Sequence, residues 1–544
     1  MTIIIVNPIG NFPLNDDWSF ALTVKYFLEH GDFQPIDWAS MTQLTNTLWG
    51  ALFCLPAGFS FTALRLSTLV ISLVSLMSIY ILATKLDVPR HLKYLIVFMV
   101  IYNPVFHALS YTFMTDVLFA SLMILSVLIF SLYFKTDNNN YYYFGIFVCV
   151  VTVLSRQLAL AIPLAFFIAY LFKNGLRFSH VVKAIMPVLV TAIVLFSFQE
   201  WMKNTDRLPA IYFQQTNQLL FSLKNPLYLL KSFLKNLPIV ILYVGIFLLP
   251  IVILHMPSII KYKKKYLIFC TLLMLTLLVE LKLGLMPLSG NILVGSGIGP
   301  LSLTDTDVLG VKNVPYLSGF FWGVTTLLSL ISGIFLVSVI LFDSVEIIKN
   351  RIKNIFSSID TIRLFLLLTS LIYLTPLMIS SFFDRYLIVV APLVALFLYN
   401  KDMRNLYENE LSPRLSYMSF IFLFLLAAFS ILTTKDYLNW NSTRWQIVKD
   451  LQDKYQIPQS EIDGGFEVNG FYAYNPNYTI EQNNSLPWVI SEAQQIKSPW
   501  WVNKDTYMIA FGILPNYQVV QEYHYKNLLP PRDGKLLLIK RVSE

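Results

Sequence analysis

The sequence predicts an all-α polytopic membrane protein that closes with a small α/β domain, and three observations carry that prediction. Of 544 residues, 56% are hydrophobic and 13% charged, with mean hydropathy +0.61, whereas a soluble domain carries about twice that charged fraction. Apolar windows of about 15 to 22 residues, the length that crosses hydrocarbon, recur along the chain. After residue 433 the texture changes to that of a small folded domain.

The first 61 residues hold no span. Asn15-Asp16-Asp17-Trp18 opens a helix that runs to Glu29 and stops at His30-Gly31, with apolar residues on more than one face, so it is expected to lie in a membrane interface. About twelve membrane segments follow, near 62–84, 93–109, 114–134, 141–154, 158–172, 181–199, 237–256, 266–284, 317–342, 362–380, 386–399 and 416–433. The short ones, 141–154 and 386–399, suggest helices that stop below one surface and leave a cavity there.

With residues 1–61 outside, alternate loops such as 261–265 and the stretch from Lys349 to Arg363 become cytoplasmic. They hold about 18 basic residues against about 8 in the opposite short loops, the asymmetry that cytoplasmic loops show. The organisation is therefore a first outer loop with an acidic motif (1–61), a membrane core (62–433) and an extracytoplasmic domain (434–544). That domain is expected to contain a helix over 440–455 and strands over 507–511, 518–525 and 535–541, the last after a turn at Arg532-Asp533-Gly534. The amino terminus has no basic region ahead of an apolar core, so it is not a signal peptide. Either the span at 62–84 translocates it, or a further helix precedes it; the second is the expectation.

Composition excludes several chemistries. Cys54, Cys149 and Cys270 sit in apolar runs without CxxC spacing, and the six histidines form no ligand pattern, so no metal site is expected. The cytoplasmic loops are too short for a nucleotide-binding domain, and no Gly-rich phosphate loop follows a strand. Nucleic acid is not an expected partner. Asp305-Thr306-Asp307 forms a DxD string, but it lies in a Gly-rich loop over 287–315 that reads as flexible.

Ionisable residues at the ends of spans on the outer side remain as candidates. Asp16 and Asp17 open the first outer helix, where an Asn15 N-cap and helix-dipole complementarity are the plain alternative. Asp116, in Phe113-Met114-Thr115-Asp116, opens the span at 114–134, where capping again suffices locally. Arg156, between two short spans, and Arg385, in Phe383-Asp384-Arg385-Tyr386, stand on the side where short loops otherwise avoid basic residues; snorkelling or an Asp384–Arg385 pair is the plain alternative.

The order of these features is similar to that of the GT-C membrane glycosyltransferases: paired acids near the start of an outer helix, Gly58 to Arg65 leading into a span, an acid at a later span start, and Arg385-Tyr386 before a Pro392-containing span. Within them it resembles the protein O-mannosyltransferase and lipid A aminoarabinose transferase branch, most clearly over residues 14–170 and less through 400. The resemblance implies a GT-C fold, Asp16 as catalytic base, Asp17 as its acidic neighbour and Asp116 as a second acidic site. Many relatives carry Lys-Pro-Pro where this chain has Thr42-Gln43-Leu44, so donor-phosphate binding falls to Arg156 and Arg385.

The expected activity is transfer of a sugar from a polyprenyl-phosphate-linked donor to a hydroxyl of a lipid, glycan or protein acceptor, by inverting displacement and without a required metal. The expected location is the bacterial inner membrane. A secondary transporter would place ionisable residues at mid-membrane within inverted repeats, whereas the span interiors here are almost uncharged apart from Glu280. A polysaccharide polymerase or ligase would give no reason for the acid pair. The aromatic residues Trp440, Trp445, Phe471, Tyr472, Tyr474, Trp500 and Trp501 offer stacking surfaces for an acceptor, although core packing accounts for most.

Overall fold

A computed structural model of the chain describes residues 2–262, 264–307, 314, 316–380, 382–399, 413–476, 500–502 and 504–542. Among them, eight helices are long and apolar enough to cross a membrane: Phe61–Lys85, Thr115–Thr136, Gln157–Asn174, Phe178–Asn204, Pro226–Phe247, Gly319–Ile352, Ser358–Ile379 and Pro413–Asp453. A ninth passes the same test as a broken pair, Arg90–Ile101 and Pro104–Ser110, bent by 63°. The break is local chemistry. Pro104 has no amide hydrogen to continue the ladder, and the Asn103 carboxamide oxygen accepts from Val105 N (3.0 Å) and Phe106 N (3.1 Å), capping a new helix.

The expected segments at 141–154, 266–284 and 386–399 are also helical, as Asn139–Val153, Lys264–Leu281 and Leu387–Phe397. Leu387–Phe397 has 11 residues, all of them buried. At 1.5 Å per residue such a helix is about 16 Å long, about half a hydrocarbon core. It is a short plug inside the bundle, with Arg385 just ahead of its first turn.

The helices approach closely through small residues. A Cβ at Gly245 would lie 2.6 Å from Ser329 O, and the Ser332 hydroxyl donates to Gly245 O at 2.6 Å, so Pro226–Phe247 and Gly319–Ile352 meet backbone to backbone. Without a hydrophobic drive between helices in lipid, such contacts hold a bundle by dispersion and interhelical hydrogen bonds.

Four local expectations change. Helices Gly319–Ile352 and Ser358–Ile379 shorten the basic loop, and Arg363 is inside, paired with Asp343 at 2.7 Å. The segments expected at 416–433 and 440–455 form one continuous helix, Pro413–Asp453, because no Pro or Gly interrupts them. The hairpin turns at Leu529–Pro530 rather than at 532–534, which pair within the strands. The backbone N–H groups of Leu528 and Leu529 donate to Asp436 on the long helix (2.7 and 2.8 Å), and that contact fixes the turn. The DxD string forms a helical turn, Thr304–Asp307, pinned where Asp305 accepts from Phe511 N (2.7 Å) and Gly512 N (3.1 Å).

The C-terminal region carries a four-stranded sheet ordered Ile462–Asp463, Tyr507–Ala510, Pro531–Arg541, Tyr517–Leu528, parallel at the first pair and antiparallel elsewhere. The helix Phe466–Ala473 leaves the first strand and packs on Asp17–His30. This contact joins the two ends of the sequence above the bundle.

Candidate active site

Arg65, fully buried near the start of its span, organises the first segment. Its guanidinium donates to Pro8 O (3.2 Å), Gly10 O (3.0 Å) and Phe12 O (2.5 Å) and lies over the Phe12 ring. The chain then turns at Asn15, whose φ is 56°, and enters Asp17–His30 with Asp16, not Asn15, at the N-cap position. Asn15 instead donates from its backbone to Glu467 (3.1 Å) and from its side chain to Asn291 (3.1 Å).

That turn separates the two adjacent acids. Asp17 is 0% exposed and faces inward, accepting from Leu14 N at 2.6 Å and Phe113 N at 3.1 Å. Burial pushes its carboxyl up to about 7, against the opposing pull of Arg65 and the two backbone donors. Asp16 faces an open cleft of about 390 Å³. It accepts from Trp38 Nε1 at 3.0 Å and from the Arg385 guanidinium at 3.1 Å.

Arg385 is the hub. One nitrogen holds Asp16, while its Nε stands 4.0 Å from Asp116, and the guanidinium lies over the rings of Phe383 and Tyr386. Burial pulls its pKa down, but Asp116, Tyr386 and Asp16 outweigh this and hold it above the usual range, so it stays charged. Asp384 makes no pair with it. Its carboxylate turns the other way and accepts from Asn291 N (3.0 Å), Ile292 N (3.2 Å) and Leu293 N (2.6 Å), fixing the loop that meets Asn15.

Behind Arg385 lie Asp116, 2% exposed, and Arg156, 5% exposed. They pair at 3.0 Å, and Arg156 also donates to the Thr115 hydroxyl, so residues 115 and 116 receive one guanidinium. Arg156 is held in place from the first segment: Gln43 N donates to Ser155 O (3.2 Å), and the hydroxyls of Thr42 and Thr45 donate to Val153 O and Val151 O (3.0 and 2.7 Å). The set is not internally satisfied. Both Asp116 oxygens, Arg385 Nε and both polar atoms of the Gln43 amide are buried without an aligned hydrogen bond, a state that costs about 1 to 3 kcal/mol per group unless something else fills it. The 3.0 Å ion contact of Asp116 is thus a charge contact of poor alignment, and the geometry leaves acceptor capacity to spare.

The structure brings Asp16, Asp116, Arg156 and Arg385 into one continuous charge chain, with Asp16 and Arg385 at the cleft, and sets Asp17 apart. Asp17, Asp116, Arg156 and Arg385 do not simply cap or snorkel, since each has partners from distant segments. Sequence reasoning missed Trp38, which follows no recognisable pattern, and Glu467. The latter is fully buried with Arg444 (2.8 Å) and bonded to the Ser302 hydroxyl. Trp18, Trp38, Phe466, Tyr474 and Trp501 form an aromatic cluster beside the cleft, with ring centroids 5.1–6.3 Å apart. Among the described residues no three His, Cys, Asp or Glu side chains gather as a metal site. The Glu280 side chain and residues 308–313 lie outside the described set.

No curated protein matches the chain in sequence. Among solved structures, ArnT from Cupriavidus metallidurans matches with a TM-score of 0.40 and 12% identity, over 99% of this chain and 96% of that one in the apo state. The form bound to undecaprenyl phosphate gives the same score and identity over 99% and 95%. A score at that level carries no argument about the site. Residues 45–202, which include Arg65, Asp116 and Arg156, match the family described as dolichyl-phosphate-mannose-protein mannosyltransferase. Over those residues the chain is similar to the membrane glycosyltransferases of the GT-C type.

Proposed function

We propose that the protein transfers a sugar from a polyprenyl-phosphate-linked donor to a hydroxyl group at the extracytoplasmic face of the bacterial inner membrane. The observation that carries this reading is the convergence of Asp16 and Arg385 on one cleft, with Asp116 and Arg156 directly behind. The family match over residues 45–202 supports a lipid-phosphate donor, and the bias of basic residues to the opposite loops supports the placement.

Asp16 accepts the proton of the acceptor hydroxyl as that oxygen bonds to the anomeric carbon. The bond from that carbon to the phosphate oxygen breaks, its electron pair leaves on the polyprenyl phosphate, and the anomeric configuration inverts. Arg385 is bound to Asp16. A donor phosphate competes for that guanidinium, since bidentate phosphate contacts are strong, and frees an Asp16 oxygen for the acceptor. The charge developing on the phosphate is stabilised in the same motion. Arg156 lies too deep to be the first contact; it anchors Asp116, which holds the Nε side of Arg385. Asp17 shapes the turn that aims its neighbour.

General-base help is worth about 10² to 10⁴ in rate. Asp16→Asn, which keeps an oxygen for Trp38, is expected to lower transfer by that factor in purified protein given donor and membrane extract, with unchanged expression. Transfer at the wild-type rate would exclude Asp16 as the base.

A further inference from the structure

A second cleft, also about 390 Å³, opens on the far side of the Phe466–Ala473 helix. Phe466 lines the Asp16 cleft, whereas Phe471 and Tyr472, about a turn and a half later, line this one. The first segment is shared in the same way. Gly10 to Pro13 form part of the second cleft, and the chain reaches Asn15 and Asp16 in the first a few residues on.

The walls have a definite chemistry. One side is aromatic: Phe59, Phe61, Phe471, Tyr472 and Trp445 run as a chain of rings 5.0–6.2 Å apart, and Tyr472 is 45% exposed. The other is neutral and hydrogen-bonding, from Asn11, Ser442, Gln446 and Gln452, with Lys449 the one charged group among the described lining residues. Flat rings take the C–H faces of a sugar, and carboxamides and hydroxyls take its hydroxyl groups. Asn11 Oδ1 accepts from Phe61 N, and the Nε2 groups of Gln446 and Gln452 donate to Asp450 and Gln459, so each carboxamide is held in place with its other end free for a ligand; a lipid tail would strip water from those free ends without replacing it. The volume is within the range of small-molecule sites.

Resting on the transferase reading above, we infer that this second cleft binds the saccharide part of the acceptor, so that the acceptor is a glycan or glycolipid held on Trp445 and Tyr472 with its reacting end directed past Phe466–Ala473 toward Asp16. Lys449 favours acceptors that carry an anionic substituent.

The test uses the full chain in nanodiscs and the glycolipid and polysaccharide extract of cells lacking the protein, with retained sugar measured as monosaccharides after acid hydrolysis. Wild type and Asp16→Asn are expected to retain equal amounts, while Trp445→Ala and the exposed Tyr472→Ala retain less by about fivefold or more. Full retention by Tyr472→Ala, no sugar retained by wild type, or loss of retention in Asp16→Asn each overturns the assignment. Active Asp16→Asn protein with normal retention removes the proposed base and leaves the saccharide cleft standing, so the two failures are distinguishable.

Discussion

Arg385 and Arg363 stand at opposite ends of the same short helix, Leu387–Phe397, and their surroundings differ in kind. Arg363 donates to Asp343 at 2.7 Å and to Phe397 O at 3.1 Å and lies over the Phe397 ring, deep among helices. Its carboxylate partner is fully buried, and Arg363, which also borders a cleft of about 310 Å³, has no buried nitrogen left without a hydrogen bond. Arg385 instead divides its nitrogens between Asp16 and a more distant Asp116, faces a cleft, and keeps an unpaired Nε. A buried pair whose guanidinium is fully hydrogen-bonded ties helices together and offers a ligand little even beside a cleft. An open one, with unfilled donors and acceptors, is a place where a charged substrate enters without breaking the fold.

The comparison can be broken in three places. The largest effect is expected at Arg363. Arg363→Ala leaves Asp343 buried without its counter-charge, a loss of about 3 to 5 kcal/mol; folded protein recovered in detergent should fall sharply, while transfer per folded molecule stays at the wild-type value. Arg385→Lys is expected to do the reverse. A lysine cannot reach two carboxylates from a planar fork or stack between Phe383 and Tyr386. Losing a charge-assisted bond of about 1.5 to 3 kcal/mol should raise the donor KM by about tenfold to a hundredfold with little change in melting temperature. An Arg385→Lys protein that melts early but binds donor normally would place Arg385 with the structural pair.

The smallest expected effect is at Asp17 and is read through pH. Its folded pKa is raised to about 7 from an ordinary aspartate value of 3.8, so the folded state holds a proton that the unfolded state has released between those values. The contribution to stability is therefore fully present below about 4 and declines as pH rises toward 7. The melting temperature of wild type relative to Asp17→Asn should fall across that window and level off above it. A flat difference from pH 4 to 8 would mean that Asp17 stays ionised in the fold.

Much of the architecture was legible in the sequence because membrane segments announce themselves by length and apolarity. The breaks followed local rules too, as at Asn103-Pro104. The candidate site was legible only as types and positions: acids at helix starts and arginines in loops that avoid them. What was not legible were partners distant in sequence. A local Asp384–Arg385 pair was the plain alternative for that site, and Asp384 instead binds three amides of residues 291–293. The turn expected at residues 532–534 moved because Asp436, about 92 residues away, supplies the acceptors that fix it.

Asp16 and Asp17 show the division most simply. The sequence by itself determined that two carboxylates would stand at the mouth of a helix, where amides are unpaired and negative charge is favoured. Which one meets substrate was decided by tertiary structure, because consecutive residues entering a helix point about 100° apart. Contacts with Phe113, Trp38 and Arg385, all from other segments, set the rotation of that entry.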